Sequence, residues 1–215
     1  MGAIYLVRHG QASFGAADYD KLSGLGAEQG AVVGEELRRR ELRLAVVRSG
    51  SMVRQRDTAL AAGFEPAQDA RWNEYDFTDV LSHAEPPSSP VAGDPRAFQG
   101  VMDKALVAWV RAGDGEGRAA ESWTAFAARV NAALDDLVAD LGKGHDGLVF
   151  TSGGVIGAVA ARLVGDQPGR FPAFNRIACN AGVTKIISGR SGLTLVAFSE
   201  HAHFEGARRH LLTFR

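Results

Sequence analysis

Cysteine occurs once in the 215 residues, at Cys179. No disulfide can close within the chain, and no paired Cys/His spacing offers structural zinc. Such usage suits a reducing compartment, and a cytoplasmic location is expected. Charge of one sign is also lacking, since 24 Lys and Arg stand against 25 Asp and Glu for a formal net charge of −1. The basic surplus that grips a nucleic-acid backbone is absent, so no nucleic-acid partner is expected and any anion must be met locally. Long apolar runs are missing too. The best candidates, residues 155–164 and 193–198, are short and interrupted, and no membrane span is expected. The opening Met1-Gly2-Ala3-Ile4-Tyr5-Leu6-Val7 has no basic leader and reads as a buried first strand rather than a secretory signal. What is present is a globular composition, 46% hydrophobic and 23% charged. It excludes wholesale disorder and predicts a single domain over 1–215 with room for an insertion.

Short apolar runs bounded by Gly, Ser, Asn or charge recur at 4–7, 44–48, 148–151, 184–187 and 194–198 and read as strands. Helical patterns lie between them at 25–40, from about Arg54, at 119–141 and at 155–163. The third carries apolar residues at Phe126, Val130, Ala133, Leu134, Leu137 and Leu141. This alternation predicts a three-layer α/β/α sandwich around a mostly parallel sheet. The turn-rich Ser188-Gly189-Arg190-Ser191-Gly192 joins the last two strands as a hairpin, which adds an antiparallel edge. Residues 76–117 break the rhythm with Pro/Gly clusters around one possible helix at 97–111. They read as a cap overhanging the carboxyl ends of the strands, where ligand choice is expected to reside.

Val7-Arg8-His9-Gly10-Gln11 delivers an arginine and a histidine together at the mouth of an apolar strand, where nothing structural demands two such groups. Gly10 is expected to let the backbone turn so that amides face the same anion. The second strand runs through Ser49-Gly50-Ser51 into a helix whose first turn holds Arg54. There it either reinforces an anion-attracting helix start or joins Arg56 on a solvated face. His201-Ala202-His203 places two imidazoles on one side of an extended strand; a metal site is the less favoured reading beside a surface or rim role. Ser152 lacks the preceding glycine of a hydrolase elbow. Arg38-Arg39-Arg40, among glutamates, reads as a solvated helix end, and Cys179 as a buried small hydrophobe. Phe14, Tyr19, Trp72, Phe77 and Trp109 are candidates for a binding mouth, with core packing expected for at least half.

Arg8-His9-Gly10-Gln11 resembles the signature of the histidine phosphatases, the phosphoglycerate mutase-like superfamily. The 22–30 stretch resembles that family's "L(T/S)xxGxxQ" helix start, and Ser51 through Ala59 its "SPLxRAxQTA" element, with Asp57 where Gln is usual. Trp72 to Phe77 resembles the segment bearing its acidic proton donor, and 117–130 the "GES" helix after the cap. Thr151-Ser152-Gly153-Gly154-Val155-Ile156 resembles "HGGVI", and Asn180 through Ile186 the "NASIT" strand. The resemblance implies a phosphoglycerate mutase-like fold and a phosphatase with no cofactor and no metal. Its partner is a small phosphorylated substrate, and its state monomeric or homodimeric. It nominates His9 as nucleophile, Arg8 and Arg54 as phosphoryl clamps, Glu74 as proton donor, and Gln11, Ser152 and Gly153 as further phosphate contacts.

The family's second histidine falls at Ser152. Replacing a charge-assisted hydrogen bond by a neutral one loses on the order of 1–2 kcal/mol, and a well-aimed transition-state donor is worth roughly 10²–10³ in rate. Restoring histidine there is expected to accelerate turnover, provided the ring fits. His203 or His201 is a candidate to enter the pocket and replace the missing donor. A phosphate-binding module without turnover is the alternative, and a true mutase a third.

Overall fold

The computed structural model describes residues 2–13, 20–83, 95–114 and 119–214. Phe14, Tyr19 and the Pro/Gly-rich parts of the expected cap at 84–94 and 115–118 lie outside them. Six strands, β1 (Gly2–Arg8), β2 (Leu44–Ser49), β3 (Ala67–Gln68), β4 (Asp146–Thr151), β5 (Val183–Gly189) and β6 (Gly192–Glu200), form one sheet in the order β3-β2-β4-β1-β5-β6. The first four positions pair in parallel, and β5 and β6 close the other side antiparallel. Central β1 buries all of residues 3–7, as its unbroken apolar run requires of a strand covered on both faces. The β5–β6 hairpin turns through Arg190-Ser191, with Gly192 at φ 102°, a left-handed conformation that glycine takes without strain.

Alternation along β1 divides the core. Ile4 and Leu6 pack with α4 (Pro95–Ala112), α5 (Trp123–Asp140), α6 (Gly153–Leu163) and α7 (Gln167–Ile177). Ala3, Tyr5 and Val7 pack with α1 (Gly24–Arg39), α2 (Val53–Ala61) and the carboxyl-terminal Leu211. These are the three expected layers. α5 begins later than its pattern, because the Ser122 hydroxyl accepts from Ala125 N at 3.1 Å and caps it. α1 starts likewise, with Gly26 N donating to Ser23 Oγ at 3.0 Å. Within the expected cap, α3 (Phe77–Leu81) and α4 dock on the main core: Val80, Met102, Ala105, Leu106 and Trp109 are all buried in it.

α7 lies outside the helices that the pattern predicts. Two prolines disguise it, although Asp166 caps it through Gly169 N at 3.0 Å and Pro168 falls in the first turn, where a missing N–H is harmless. Trp72 and Trp109 are core residues, not mouth residues, each 1% exposed. Trp109 joins Tyr75, Trp123, Phe126 and Phe171 in one aromatic cluster, the Trp123 and Phe171 rings lying 4.4 Å apart. Of the three consecutive arginines, Arg39 is exposed on Glu36, whereas Arg40 is half-buried between Glu36 and Glu200.

β1 leads into α1 on one face and β4 into α6 on the other. Neighbouring strands whose helices diverge open a crevice at their carboxyl ends, here between Arg8 and Thr151. Phe126→Ala is expected to cost about 3–5 kcal/mol through loss of buried surface and an unfilled cavity. Leu60→Ala, on an exposed position, is expected to stay within about 0.5 kcal/mol. Urea denaturation of both variants checks the contrast.

Candidate functional site

His9 follows the last residue of β1, and its backbone is fixed on every side. Its N–H donates to Thr151 O at 2.8 Å on the neighbouring strand, and its carbonyl accepts from Asn180 Nδ2 at 3.1 Å. Gly10 N donates to Thr58 Oγ1 at 2.9 Å, and Gln11 N to Gln29 Oε1 at 2.7 Å. The Gly10 amide is therefore committed to Thr58 and does not face an anion as its sequence suggests. Glycine is needed there for another reason: a Cβ would stand 2.3 Å from Gly26 O, where α1 crosses the loop.

The buried His9 ring has its Nδ1 2.7 Å from Gly10 O. A carbonyl only accepts, so Nδ1 carries the proton and the neutral ring leaves Nε2 bare. Arg54 Nε donates to that Nε2 at 3.2 Å. Burial first, then the charges of Arg54 and Arg8, hold the imidazole well below its usual 6.5.

Arg54 sits in the first turn of α2 and is itself buried. Its guanidinium also donates to Asp20 Oδ1 at 2.7 Å, while Asp20 Oδ2 accepts from Val53 N at 2.8 Å and caps α2. Arg56 turns outward to Asp57, so the two arginines divide the two readings between them. Arg8 donates through one terminal nitrogen to Ala178 O and to Phe214 O, the latter at 2.9 Å. Its guanidinium passes 3.4–3.6 Å from where a Cβ on Gly153 would stand.

Glu74 lies at the start of α6. Its Oε2 accepts from Gly154 N at 3.0 Å and its Oε1 from Tyr75 N at 3.3 Å. Burial raises its carboxyl above the usual 4.5, against the lowering influence of those amides and of Arg54 and Arg8. Gly154 makes the approach possible, since a Cβ there would fall 2.2 Å from Glu74 Oε1. One helix-start amide expected to face an anion is thus engaged by this carboxyl.

Ser152, fully buried, does not cap α6 with its side chain. Its Oγ accepts from Gln55 Nε2 at 2.7 Å. Gln11 is half-buried, its side-chain oxygen accepting from Ser23 Oγ at 3.2 Å. His9, Arg8, Arg54, Glu74, Ser152 and Gly153 therefore converge on the crevice.

His201 and His203 are placed elsewhere. β6 ends at Glu200 after Ser199 adopts φ 50°, and Ala202–Phe204 is a 3₁₀ turn, so the extended pair facing one side does not form. His203 Nε2 is 3.0 Å from Ala181 O, its ring packs on Phe204, and the charges acting on it are those of Glu36, Arg40 and His201. His201 Nδ1 bonds Ser199 O at 2.8 Å. Neither ring contacts Ser152 or His9, and the idea of a substitute donor finds no support. Among the described residues no group of three or more His, Cys, Asp or Glu is arranged to hold a metal ion, and no helix is long and apolar enough to cross a membrane.

Sequence reasoning missed Asp20, Gln55 and Thr58. Asp20 reaches Arg54 across 34 positions, a relation that no local pattern carries. Thr58 sits four residues after Arg54, where helical spacing is the available signal, whereas Gln55 directly after Arg54 has none. Beside Glu74 opens a cavity of about 670 Å³, lined by Asn73, Asp79, Glu121 and Arg129 among others. Arg129 braces its wall, pairing with Glu121 and donating to Asn73 O at 2.7 Å.

The fold has recognisable counterparts. A mycobacterial glucosyl-3-phosphoglycerate phosphatase is 22% identical with a TM-score of 0.66, the match covering 94% of this chain and 100% of that one. A phosphoglycerate mutase from Bacillus anthracis is 20% identical with a TM-score of 0.65, covering 94% of each chain. A phosphoserine phosphatase variant from Entamoeba histolytica, in complex with phosphoserine, is 17% identical with a TM-score of 0.67, covering 94% of this chain and 99% of that one. The phosphoglycerate mutase-like fold is therefore shared. No curated protein matches the chain in sequence. The family model of the histidine phosphatase superfamily, branch 1, matches residues 4–201, and the chain belongs to that superfamily.

Proposed function

We propose that the protein is a metal-independent phosphatase that hydrolyses a small organic phosphomonoester through a phosphohistidine on His9. The observation that carries this reading is the ring geometry of His9: Nδ1 is tied to Gly10 O and a bare Nε2 faces the Arg54 guanidinium. A buried imidazole held neutral at that spot is a nucleophile, and a binding pocket would need none.

In the first step His9 Nε2 forms the bond to phosphorus as the bond to the leaving oxygen breaks. Arg54 Nε exchanges its contact with Nε2 for a phosphoryl oxygen, freeing the ring lone pair, and Arg8 takes up the charge on the other oxygens. Glu74, whose burial favours the protonated form, gives its proton to the leaving alkoxide. The resulting carboxylate then takes a proton from the water that attacks the phosphohistidine and releases inorganic phosphate. Gln11, Ser152 and the Gly153 amide add uncharged donors. The cavity reaching Glu74 holds the organic part, so α3 and the residues around Glu121 and Arg129 that line it select the substrate. A phosphate-binding module without turnover rests on Ser152 alone. A mutase would have to keep its phosphohistidine from water, and nothing in this site favours that.

With p-nitrophenyl phosphate and chelator present, His9→Ala is expected to lose about a thousandfold or more in kcat, and radiolabelled phosphate is expected to be trapped on the native protein but not on the variant. Equal background in both would leave the binding module. Glu74→Gln is expected to lose about 10²–10⁴ on an alkyl phosphate and less on the nitrophenyl ester, whose leaving group needs little protonation.

The pH profile follows from the two displaced groups. His9 is active when neutral and its pKa is lowered, so the acid limb of kcat/KM is expected below pH 6.5. Glu74 is active when protonated and its pKa is raised, so the alkaline limb is expected above pH 4.5 and absent from Glu74→Gln. Removing the Arg54 charge is expected to move the acid limb upward, which a pH series on Arg54→Gln measures.

A further inference from the structure

The buried pair Gln55–Ser152 is not explained by the reaction as derived. Both side chains are fully buried, and Gln55 Nε2 donates to Ser152 Oγ at 2.7 Å and to Trp72 O at 3.2 Å. The Trp72 carbonyl fixes which end of the amide is which, because an amide oxygen turned toward it would set acceptor against acceptor. Ser152 Oγ is therefore an acceptor in this contact. Its own proton is not used by Gln55, and among the described residues it is donated to no other group. The amide oxygen Gln55 Oε1 has no hydrogen-bond partner among the described residues although it is buried. That is an unfavourable state which a glutamine serving packing alone would avoid.

Both residues are chain neighbours of groups at the crevice. Ser152 precedes Gly153, which packs against Arg8, and Gly154, which holds Glu74; Gln55 follows Arg54, which holds His9. Resting on the reading of this crevice as a phosphoryl site, we propose that Gln55 is a positioning residue. By occupying one lone pair of the Ser152 hydroxyl, it orients the O–H away from Gln55 and leaves its proton to be donated to the phosphoryl group. The pair does with neutral groups what a second histidine at position 152 would do.

Size supports the exchange. The family element quoted above carries alanine directly after its arginine, and Gln55 stands at that position here. Glutamine and serine together have as many side-chain heavy atoms as alanine and histidine. The two changes thus conserve the filled volume while moving the bulk from one element to the other, the kind of swap that packed interiors tolerate. Ser152→His alone is accordingly expected to overfill the site rather than to accelerate turnover.

The test is a double-mutant cycle of Gln55→Ala and Ser152→Ala, read in kcat with p-nitrophenyl phosphate and in Tm. Each single variant is expected to lower kcat about threefold to tenfold. Adding Gln55→Ala to Ser152→Ala is expected to lower kcat no further, because a positioning residue has nothing left to aim. A glutamine acting only on the fold would slow the Ser152→Ala background as much as the native protein, and that result overturns the proposal. In a second arm, Ser152→His is expected to lose activity and Gln55→Ala/Ser152→His to recover it, with a new alkaline limb from the added imidazole. A Ser152→His protein faster than native also overturns it. If the native protein shows no His9-dependent turnover, the phosphatase reading fails by itself. The same cycle is then read in the affinity for orthovanadate, where coupling between the two substitutions supports the positioning role and simple additivity refutes it.

Discussion

A buried imidazole between two guanidinium groups is stable only as a neutral ring, and the site is organised around that constraint. Protonating His9 would add a third positive charge in a place with little water, so burial, Arg54 and Arg8 all act in one direction. The Gly10 carbonyl then decides which nitrogen keeps the single proton. Every backbone bond of the His9 loop serves this geometry, whether to Thr151, Thr58, Gln29 or Asn180. A ring free to rotate would lose the distinction between its nitrogens. The guanidinium groups carry their own cost, since a buried cation left unpaired is expensive by several kcal/mol. Asp20 offsets it for Arg54 at 2.7 Å, and two main-chain carbonyls offset it for Arg8.

Glu74 obeys the opposite rule in the same space. A helix start and two nearby cations favour a carboxylate, yet burial outweighs them and the carboxyl is raised. A phosphoryl guest strengthens that outcome, because its negative charge on the same two arginines repels an ionised glutamate. On the proposed reaction, substrate binding and readiness to donate a proton are thus coupled through shared cations.

The elements carrying the site were legible wherever the chemistry is local. The mouth of β1, the helix start at Arg54 and the segment holding Glu74 each combine apolar periodicity with a polar residue out of place. β3 is too short for periodicity to register, and α7 hides behind Pro168 and Pro172, whose effect depends on their turn within the helix. Asp20 and Asn180 act across long stretches of chain, and only the folded sheet brings them to Arg54 and His9. The paired histidines failed for a backbone reason: Ser199 takes a left-handed conformation and the strand stops before it reaches them. His203 then finds a carbonyl to bond, as most buried polar side chains do.

Ser152 shows why a site cannot be judged one position at a time. Taken singly, serine in place of histidine is a lost charge and a lost donor. In the folded protein the neighbouring helix supplies Gln55, whose amide bonds the Ser152 hydroxyl, and on the proposed reading it also takes up the space of the missing ring. Neither half of the arrangement is sound without the other. Serine beside a small residue leaves a void and a hydroxyl free to rotate, and histidine beside glutamine exceeds the space of a close-packed interior. If the pair acts as proposed, a position that reads as a defect by itself is one member of a packed pair, and its chemistry is set by the contact rather than by the residue type.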